Sequence, residues 1–434
     1  MTSAIISIII LVVVVVLFVT RLIPNPATAV LGCLLFVLTG VSPLKDAFSG
    51  FSNSIVLLMF GMMVVGIAME ETGVAALIGH KVAKLSGHKE RLFILLAGLT
   101  SAALSTFLSN TAVIAIFLPL IASIARSEPN MKRMNLTLPV TMGAMFGGVC
   151  TLVGSTPQLT ANGILQEMAG KEIGMFDYTL PGVVILAVYI VYVTLIGPRV
   201  GARVWGNRAE GNTEDSADAP ADLAQPEVKK SKMIIILVIF LLTIVSYVLS
   251  SIESIKWIDT ATTAICAALL CIITRSCSVK NVIKKMDWSV VFVLAGCLGI
   301  ASGITNGGAG ELMANGLSAI LGENVPPRLS FAVIVLATMI ISNFITNSTA
   351  VVIVLPIALS LCSAYSLNPA AFTLGIVFAA NLTYSTPLAN AQTAMTLVAG
   401  YRFSDYIRYT WPLALMVYAA INLIVPIFYP LGLT

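Results

Sequence analysis

The sequence predicts an all-α polytopic membrane protein built from two inverted-topology repeats, each with five transmembrane helices and one re-entrant hairpin. Three observations carry this prediction. Of the 434 residues, 58% are hydrophobic and only 10% charged, where soluble domains carry about 25% charged residues. The apolar runs are mostly about 16–20 residues long, which suits helices crossing a roughly 30 Å hydrocarbon layer and not the short strands of a barrel. One seven-residue pattern also occurs twice, as Ser105-Thr106-Phe107-Leu108-Ser109-Asn110-Thr111 and as Ser342-Asn343-Phe344-Ile345-Thr346-Asn347-Ser348. Each copy sits inside an apolar stretch and is followed by a run ending in Leu-Pro, Leu118-Pro119 and Leu355-Pro356.

Residues 3–19 have no basic leader and no small-residue cleavage pattern before Arg21, so they read as the first span and not as a signal peptide. Spans follow at 27–41 and 54–70. Residues 71–89 place Val74, Leu77, Ile78, Val82 and Leu85 at helical spacing beside His80, Lys81 and Lys84, the pattern of an interfacial helix, and 305–321 is a weaker counterpart. Both are expected to brace the molecule in the membrane plane. Segments 91–125 and 328–364 carry the repeated pattern at their middles and return the chain to the side it left. The remaining spans are a long segment 135–169, then 179–198, 233–250, 259–274, 289–303, a long segment 369–399, and 411–430. Trp257, Trp288 and Trp411 mark span ends as interfacial anchors. Seven scattered cysteines, an odd number, argue against a disulfide framework and against metal spacing.

Between the spans, residues 199–232 are rich in Ala, Asp, Glu and Pro without apolar periodicity, a composition expected of a flexible linker. It divides the chain into halves 1–198 and 233–434, and short matches recur between them in the same order. Ala27-Thr28 pairs with Ala261-Thr262, Ser54 with Ser289, Gly66-Ile67-Ala68 with Gly299-Ile300-Ala301, and Ser105 with Ser342, at offsets of 233 to 237. Ser155-Thr156-Pro157 pairs with Ser385-Thr386-Pro387 at an offset of 230. Five spans per half is an odd number, so the second half enters from the opposite side, an arrangement many secondary transporters share. With residue 1 outside, 20 of the 24 basic residues fall on the cytoplasmic side, and only Lys45, Lys171, Lys256 and Arg328 fall outside. The positive-inside rule therefore predicts a cell-membrane protein with both termini extracytoplasmic and the linker cytoplasmic. The net charge of +4 reflects this orientation and not nucleic-acid binding.

The chemistry resides in neutral oxygens. Ser105 and Ser109 are four apart and share a helix face, with Asn110 and Thr111 where that helix would end; Ser342, Thr346, Asn347 and Ser348 repeat this. A helix ending inside a membrane frees carbonyls, which together with Ser, Thr and Asn oxygens suit a hard cation such as Na⁺, and N–H groups, which suit an anion. Pro157 and Pro387 interrupt the two long segments, because proline removes a ladder bond. Four broken ends are expected to meet near the midplane. No Asp, Glu, Lys, Arg or His lies at the centre of a span; Glu70, Glu71 and Glu167 are near span ends. That speaks against a proton relay, against an intramembrane enzyme with a catalytic dyad, and against an arginine clamp for an anion. Asn135-Leu136-Thr137 and Asn381-Leu382-Thr383 match the glycosylation pattern, but they lie in or beside apolar spans and read as silent.

At these residues the chain resembles the divalent-anion:sodium symporter family, the sodium-coupled dicarboxylate, citrate and sulfate carriers. The likeness rests on Ser109-Asn110-Thr111, its variant Thr346-Asn347-Ser348, the Thr-Pro pairs at 156–157 and 386–387, the stretch from Thr20 to Ala29, and Gly400-Tyr401-Arg402-Phe403-Ser404-Asp405-Tyr406. It covers nearly the whole chain. The resemblance implies a non-enzymatic, Na⁺-coupled elevator transporter, a homodimer in the lipid bilayer, whose scaffold comes from 1–90 and 233–327 and whose transport elements come from 91–198 and 328–434. It implies one Na⁺ held by Ser105, Ser109, Asn110 and backbone near Gly154. A second Na⁺ would be held by Ser342, Asn347 and backbone near Ile345 and Ser385. The substrate, a di- or tricarboxylate ahead of sulfate, would meet Asn110, Thr111, Asn347, Ser348, Thr156, Thr386 and Pro387. Family members often continue each break with Pro-Asn; here Gln158-Leu159 and Leu388-Ala389 follow. The alternative within the same superfamily is an Na⁺/H⁺ antiporter or an arsenite permease, and the lack of a buried carboxylate counts against the former.

The charge split yields a direct test of orientation. Single cysteines introduced by Ser216→Cys and by Thr434→Cys should react with a membrane-impermeant maleimide from opposite sides of the membrane. Labelling of both from one side overturns the odd number of spans per half.

Overall fold

The computed structural model describes residues 2–87, 89–128, 131–206, 230–250, 259–321, 325–387 and 390–432. The linker's 207–229, Lys256, Trp257, Leu388-Ala389 and Thr434 lie outside the described residues. The chain opens with α1 (Thr2–Thr20), α2 (Asn25–Leu38), the single turn α3 (Leu44–Ala47), α4 (Ser54–Glu71) and α5 (Val74–Ser86). Pro26 sits in the first turn of α2, where its missing N–H costs nothing, and Asn53 caps α4 by accepting from the Ile55 N–H at 2.8 Å. A helical hairpin follows, α6 (Glu90–Ser105) and α7 (Asn110–Ser127), then α8 (Arg133–Gly148), α9 (Thr156–Ala169) and α10 (Thr179–Val191). A π turn at Tyr192–Ile196 carries α10 into α11 (Gly197–Val204).

Past the linker come α12 (Lys230–Ser250), α13 (Thr260–Ile273), α14 (Val279–Lys285), α15 (Trp288–Asn306) and α16 (Ala309–Leu321). A second hairpin is made of α17 (Pro327–Ser342) and α18 (Asn347–Ala364), followed by α19 (Pro369–Asn381), α20 (Ala391–Met395) and α21 (Phe403–Phe428). Both hairpins have four-residue tips, Thr106–Ser109 and Asn343–Thr346, placed where the repeated pattern falls.

Among the described residues, eight helices are long and apolar enough to cross a membrane. They differ in part from the spans expected from hydropathy. The two long segments are interrupted, as the prolines led one to expect: segment 135–169 is two helices, α8 and α9, joined by residues 149–155, and segment 369–399 is α19, an irregular stretch and the short α20. At 1.5 Å per residue, helices of 13 to 16 residues reach only about 20–24 Å, short of the roughly 30 Å layer, so each pair shares one crossing. The last span begins at Phe403, not at 411. Asp405 accepts from the Arg402 N–H at 2.7 Å and starts the helix with a charged first turn that a hydropathy reading excludes. Trp411 consequently lies in the third turn of α21 and not at its end. The linker is also shorter than its composition implies, because 199–204 are helical and Trp205 is buried.

The helices pack in two groups. One joins α4 to α13, α2 to α15 and α1 to α2 and α16; the other joins α6 and α7 to α8, α10 to α21, α9 to α18 and α19, and α17 to α19; the two meet where α9 packs on α15 and α16 on α18. The braces differ from expectation in what they support: α5 lies on α6 and α7, and α16 lies on α18, so each holds one hairpin. Helix contact within the first group depends on small residues, since lipid tails supply no hydrophobic drive for apolar helices to meet. Gly296, Gly299 and Gly303 form one stripe of α15, where a Cβ would come within 2.6 Å of Ala29, 2.0 Å of the Ala47 carbonyl and 2.5 Å of the Phe36 ring. All seven cysteines are free.

The contact at Gly61 gives a prediction for stability. A Cβ there would lie 2.5 Å from the Ala264 backbone, so Gly61→Ala should force α4 from α13 and destabilise by about 1–3 kcal/mol. Gly316→Ala on α16 meets nothing within 4 Å and should be neutral or slightly stabilising. Thermal melts of the two detergent-purified variants measure the difference; equal melting temperatures refute the packing argument.

Candidate functional site

Each tip ends one helix and starts the next inside the protein, which leaves orphan carbonyls and N–H groups to be satisfied. Ser109 caps α7 by accepting from the Ala112 N–H at 3.2 Å, and Thr346 caps α18 by accepting from the Thr349 N–H at 3.4 Å. Asn110 and Asn347 are thereby the first helical residues. The fully buried Ser105 donates its hydroxyl to Asn110 Oδ1. In the second tip the buried Ser342 turns to the Met339 carbonyl at 3.4 Å, and Thr383 donates to Asn347 Oδ1 at 2.8 Å instead. Asn343 donates to the same Met339 carbonyl at 2.7 Å, while its Oδ1 is buried with no hydrogen-bond partner.

The breaks meet the tips. A Cβ on Gly148, the last residue of α8, would fall 2.3 Å from Asn110 Oδ1, and one on Gly154 would fall 2.3 Å from the Gly148 carbonyl oxygen. Only glycine lets the α8–α9 break approach the first tip this closely. Thr151 in the break donates to the Thr106 carbonyl, and the buried Gln158 donates to the Gly148 and Thr151 carbonyls at 2.7 and 2.9 Å. In the second break Thr386 donates to the Asn343 carbonyl, the counterpart of the Thr151 contact. Asn390 caps α20 by accepting from the Thr393 N–H at 2.8 Å and donates to the Thr383 carbonyl at 2.8 Å. The halves touch here as well. Ser155 donates to Asn381 Oδ1, Asn381 donates to Gln158 Oε1 at 3.3 Å, and Gln392 donates to Thr111 Oγ1 at 3.3 Å.

These contacts correct one sequence match. Thr151 and Thr386 occupy matching places 235 residues apart, and so do the N-cap residues Ser155 and Asn390. The Ser-Thr-Pro pairing at an offset of 230 is therefore five residues out of register. Thr156 and Pro157 start α9, where a proline is tolerated. Thr386 and Pro387 lie within the second break, and helix α20 begins only after Asn390 supplies a cap.

Of the expected cation ligands, the structure gathers Ser105, Asn110 and Gly154. Ser109 is exposed, with its oxygen engaged as a cap, and Ser385 turns away to accept from Thr410 at 2.9 Å. Ser342, Ile345 and Asn347 remain at the second tip, with Ile345 buried. Of the expected substrate contacts, Thr111 and Ser348 are the second residues of α7 and α18, both half-buried, and Thr156 is the first residue of α9. The residues fit a hard cation on two observations, the glycine cradle at 148 and 154 and the orphan Asn343 Oδ1 among neutral oxygens. A cavity of about 460 Å³ lies elsewhere, between Met168, Glu311, Leu359 and Ser366, and none of the expected site residues lines it.

Sequence reasoning missed Asn343, Thr151, Gln158, Asn381, Thr383 and Gln392. A signal existed for two of them. Asn381 and Thr383 form the sequon read as silent, and an amide and a hydroxyl inside an apolar span must be bonded to something. Asn135 of the other sequon behaves alike, donating to Glu90 at 3.0 Å and accepting from Trp205 at 2.8 Å.

Comparison with known proteins gives a consistent result. The citrate transporter family model (CitMHS) matches residues 15–344 and 324–431. The sodium-dependent dicarboxylate transporter SdcS of Staphylococcus saprophyticus is 22% identical over 408 residues, covering 88% of this chain and 78% of that protein. The uncharacterized transporter sll0640 of Synechocystis sp. is 30% identical over 183 residues; that alignment covers 42% of this chain but only 30% of the relative's length. The crystal structure of the Alcanivorax borkumensis YdaH transporter superposes with a TM-score of 0.65 at 13% identity, over 93% of this chain and 98% of that one, a likeness of fold alone. The chain, a multi-pass membrane protein and not an enzyme, belongs to the citrate transporter family of secondary transporters.

Proposed function

We propose that the protein is a Na⁺-coupled symporter of a small anion, a di- or tricarboxylate ahead of sulfate. The observation that carries this reading is the convergence of Ser105, Asn110, Gly148 and Gly154 at a helix break, in a hydrogen-bond network that includes no carboxylate or basic side chain. Neutral oxygens suit a hard cation, and one Na⁺ takes the first tip while a second takes Ser342, Ile345, Asn347 and the orphan Asn343 Oδ1. Bound Na⁺ and the N-termini of α7, α9 and α18 offset the anion's charge, with Asn110, Thr111, Thr156, Asn347 and Ser348 facing it and Thr386 and Pro387 at its rim. SdcS, a sodium-dependent dicarboxylate transporter by name, supports the same reading.

In this proposal the two halves are inverted repeats. The group containing α6–α11 and α17–α21 moves as an elevator against a scaffold of α1–α5 and α12–α16. Two copies assemble through their scaffolds in the cell membrane, with both termini extracytoplasmic. Na⁺ arriving first orders the tips and creates the positive field that the anion needs. The anion then completes the neutralised cargo that can cross.

Uptake of a panel of labelled anions into proteoliposomes, with and without a Na⁺ gradient, is the experiment that tests the reading; uptake of a carboxylate driven by Na⁺ is expected, and uptake following only a proton gradient refutes it. In the same assay Ser105→Ala and Ser342→Ala should each raise the Na⁺ concentration for half-maximal uptake roughly tenfold, the effect of about 1.4 kcal/mol. Unchanged Na⁺ dependence in both refutes the ligand assignment. Asn110→Asp keeps the acceptor for Ser105 yet adds a negative charge. At about 5 Å and an effective dielectric of about 20 that repels a unit charge by about 3 kcal/mol, roughly a hundredfold in anion affinity, while Na⁺ binding is kept or tightened. Anion affinity equal to wild type at pH 8 removes Asn110 from the substrate site.

A further inference from the structure

We propose that Gln158 is a built-in surrogate for Na⁺ at the first break, an amide that holds the cation's carbonyl ligands in the empty transporter and must release them when Na⁺ binds. The inference rests on the reading that the first tip takes Na⁺. Helix α8 ends at Gly148, so its last carbonyls lack partners within the helix. One nitrogen, Gln158 Nε2, supplies partners to two of the oxygens at this end, the Gly148 carbonyl at 2.7 Å and the Thr151 carbonyl at 2.9 Å. An amide nitrogen with two N–H bonds offers converging oxygens what a small cation offers, positive charge shared between them. Gln158 is fully buried; the Gly148 carbonyl oxygen borders Gly154, and the Cβ position of the same Gly148 faces Asn110 Oδ1. The amide therefore holds the same glycine that Asn110, bonded to Ser105, abuts.

Its orientation is fixed by the backbone. The Val377 carbonyl can only accept, so it holds the Asn381 amide nitrogen at 3.0 Å; that nitrogen also reaches Gln158 Oε1 at 3.3 Å, and Ser155 donates to Asn381 Oδ1. With its oxygen engaged by Asn381, Gln158 must present its nitrogen to the break. The nitrogen bridges the Gly148 and Thr151 carbonyls, so a cation shared between the two from that side takes the nitrogen's place.

The test compares Na⁺ binding in Gln158→Met and Gln158→Glu with wild type, read as the Na⁺ concentration giving half the maximal rise in melting temperature of the detergent-purified protein, with choline replacing Na⁺. Both variants keep about the length of the side chain and lose the donors. Each should bind Na⁺ more tightly than wild type, Gln158→Met by roughly tenfold and Gln158→Glu by more, because a charge is added. A residue that merely packs the break, or one whose oxygen ligates Na⁺, gives the opposite sign on conversion to Met. Unchanged or weaker Na⁺ binding in either folded variant overturns the proposal. Should neither variant fold, the wild type decides. The chain holds only four glutamines, and one side-chain amide pair of ¹⁵N-glutamine-labelled protein should shift on adding Na⁺; four unmoved pairs overturn the proposal. Failure of the underlying reading is distinguishable, since wild type would then show no Na⁺-dependent stabilisation and Ser105→Ala no change.

Discussion

A helix that stops inside an apolar layer leaves up to four carbonyls or four N–H groups without partners, and no water is at hand to take them. This protein has eight such ends at its two tips and two breaks, and most of what is distinctive in its sequence is a response to them. Ser109, Thr346 and Asn390 cap the helices that start. Gln158, Asn390, Thr151 and Thr386 tie the carbonyls of the segments that stop. Every one of these groups is neutral. A neutral solution avoids the several kcal/mol that a buried charge would cost, and it leaves the oxygens available to a charge that arrives from outside.

The two crossings solve the problem differently. At the first, Asn110 is held within the tip by Ser105, and the break restarts as the 14-residue α9. At the second, Asn347 is held by Thr383 from the break itself, and the restart is the five-residue α20 followed by a 3-10 turn. A single turn cannot satisfy its own termini, which explains why Asn390 and Thr393 supply so many side-chain bonds there. Among the described residues, two buried oxygens of this crossing, Asn343 Oδ1 and Tyr384 Oη, are left over.

Hydropathy made α1, α4, α12 and α15 legible to within a few residues, because each is a continuous apolar run. The tips were legible too, since hydroxyl and amide groups clustered in apolar surroundings have few other uses. The breaks were legible as interruptions of the two long segments, but their register was not. Proline 157 starts a helix and proline 387 does not, and a lone Ser-Thr-Pro reads the same in both settings. What separates them is a cap five residues farther on and contacts to the other half of the chain, none of which is local in sequence. The polar partners Asn381 and Gln158 were obscured for the same reason, as their meaning lies in each other, 223 positions apart.

The fastening of Trp205 carries a consequence for how the molecule coheres. Its indole N–H is held by Asn135 of α8, and Lys132 holds the Gly206 carbonyl at 2.9 Å, so the chain before the linker is pinned to one helix group. Where the chain resumes, Lys232 holds the Arg275 carbonyl at 2.7 Å beside α13, in the other group. The two segments are joined to each other far more extensively by packing, through α2 with α15, α4 with α13 and α9 with α18 and α19, than by the peptide link between Gly206 and Lys230. Helix packing, more than the peptide link, sets how the two segments sit against each other.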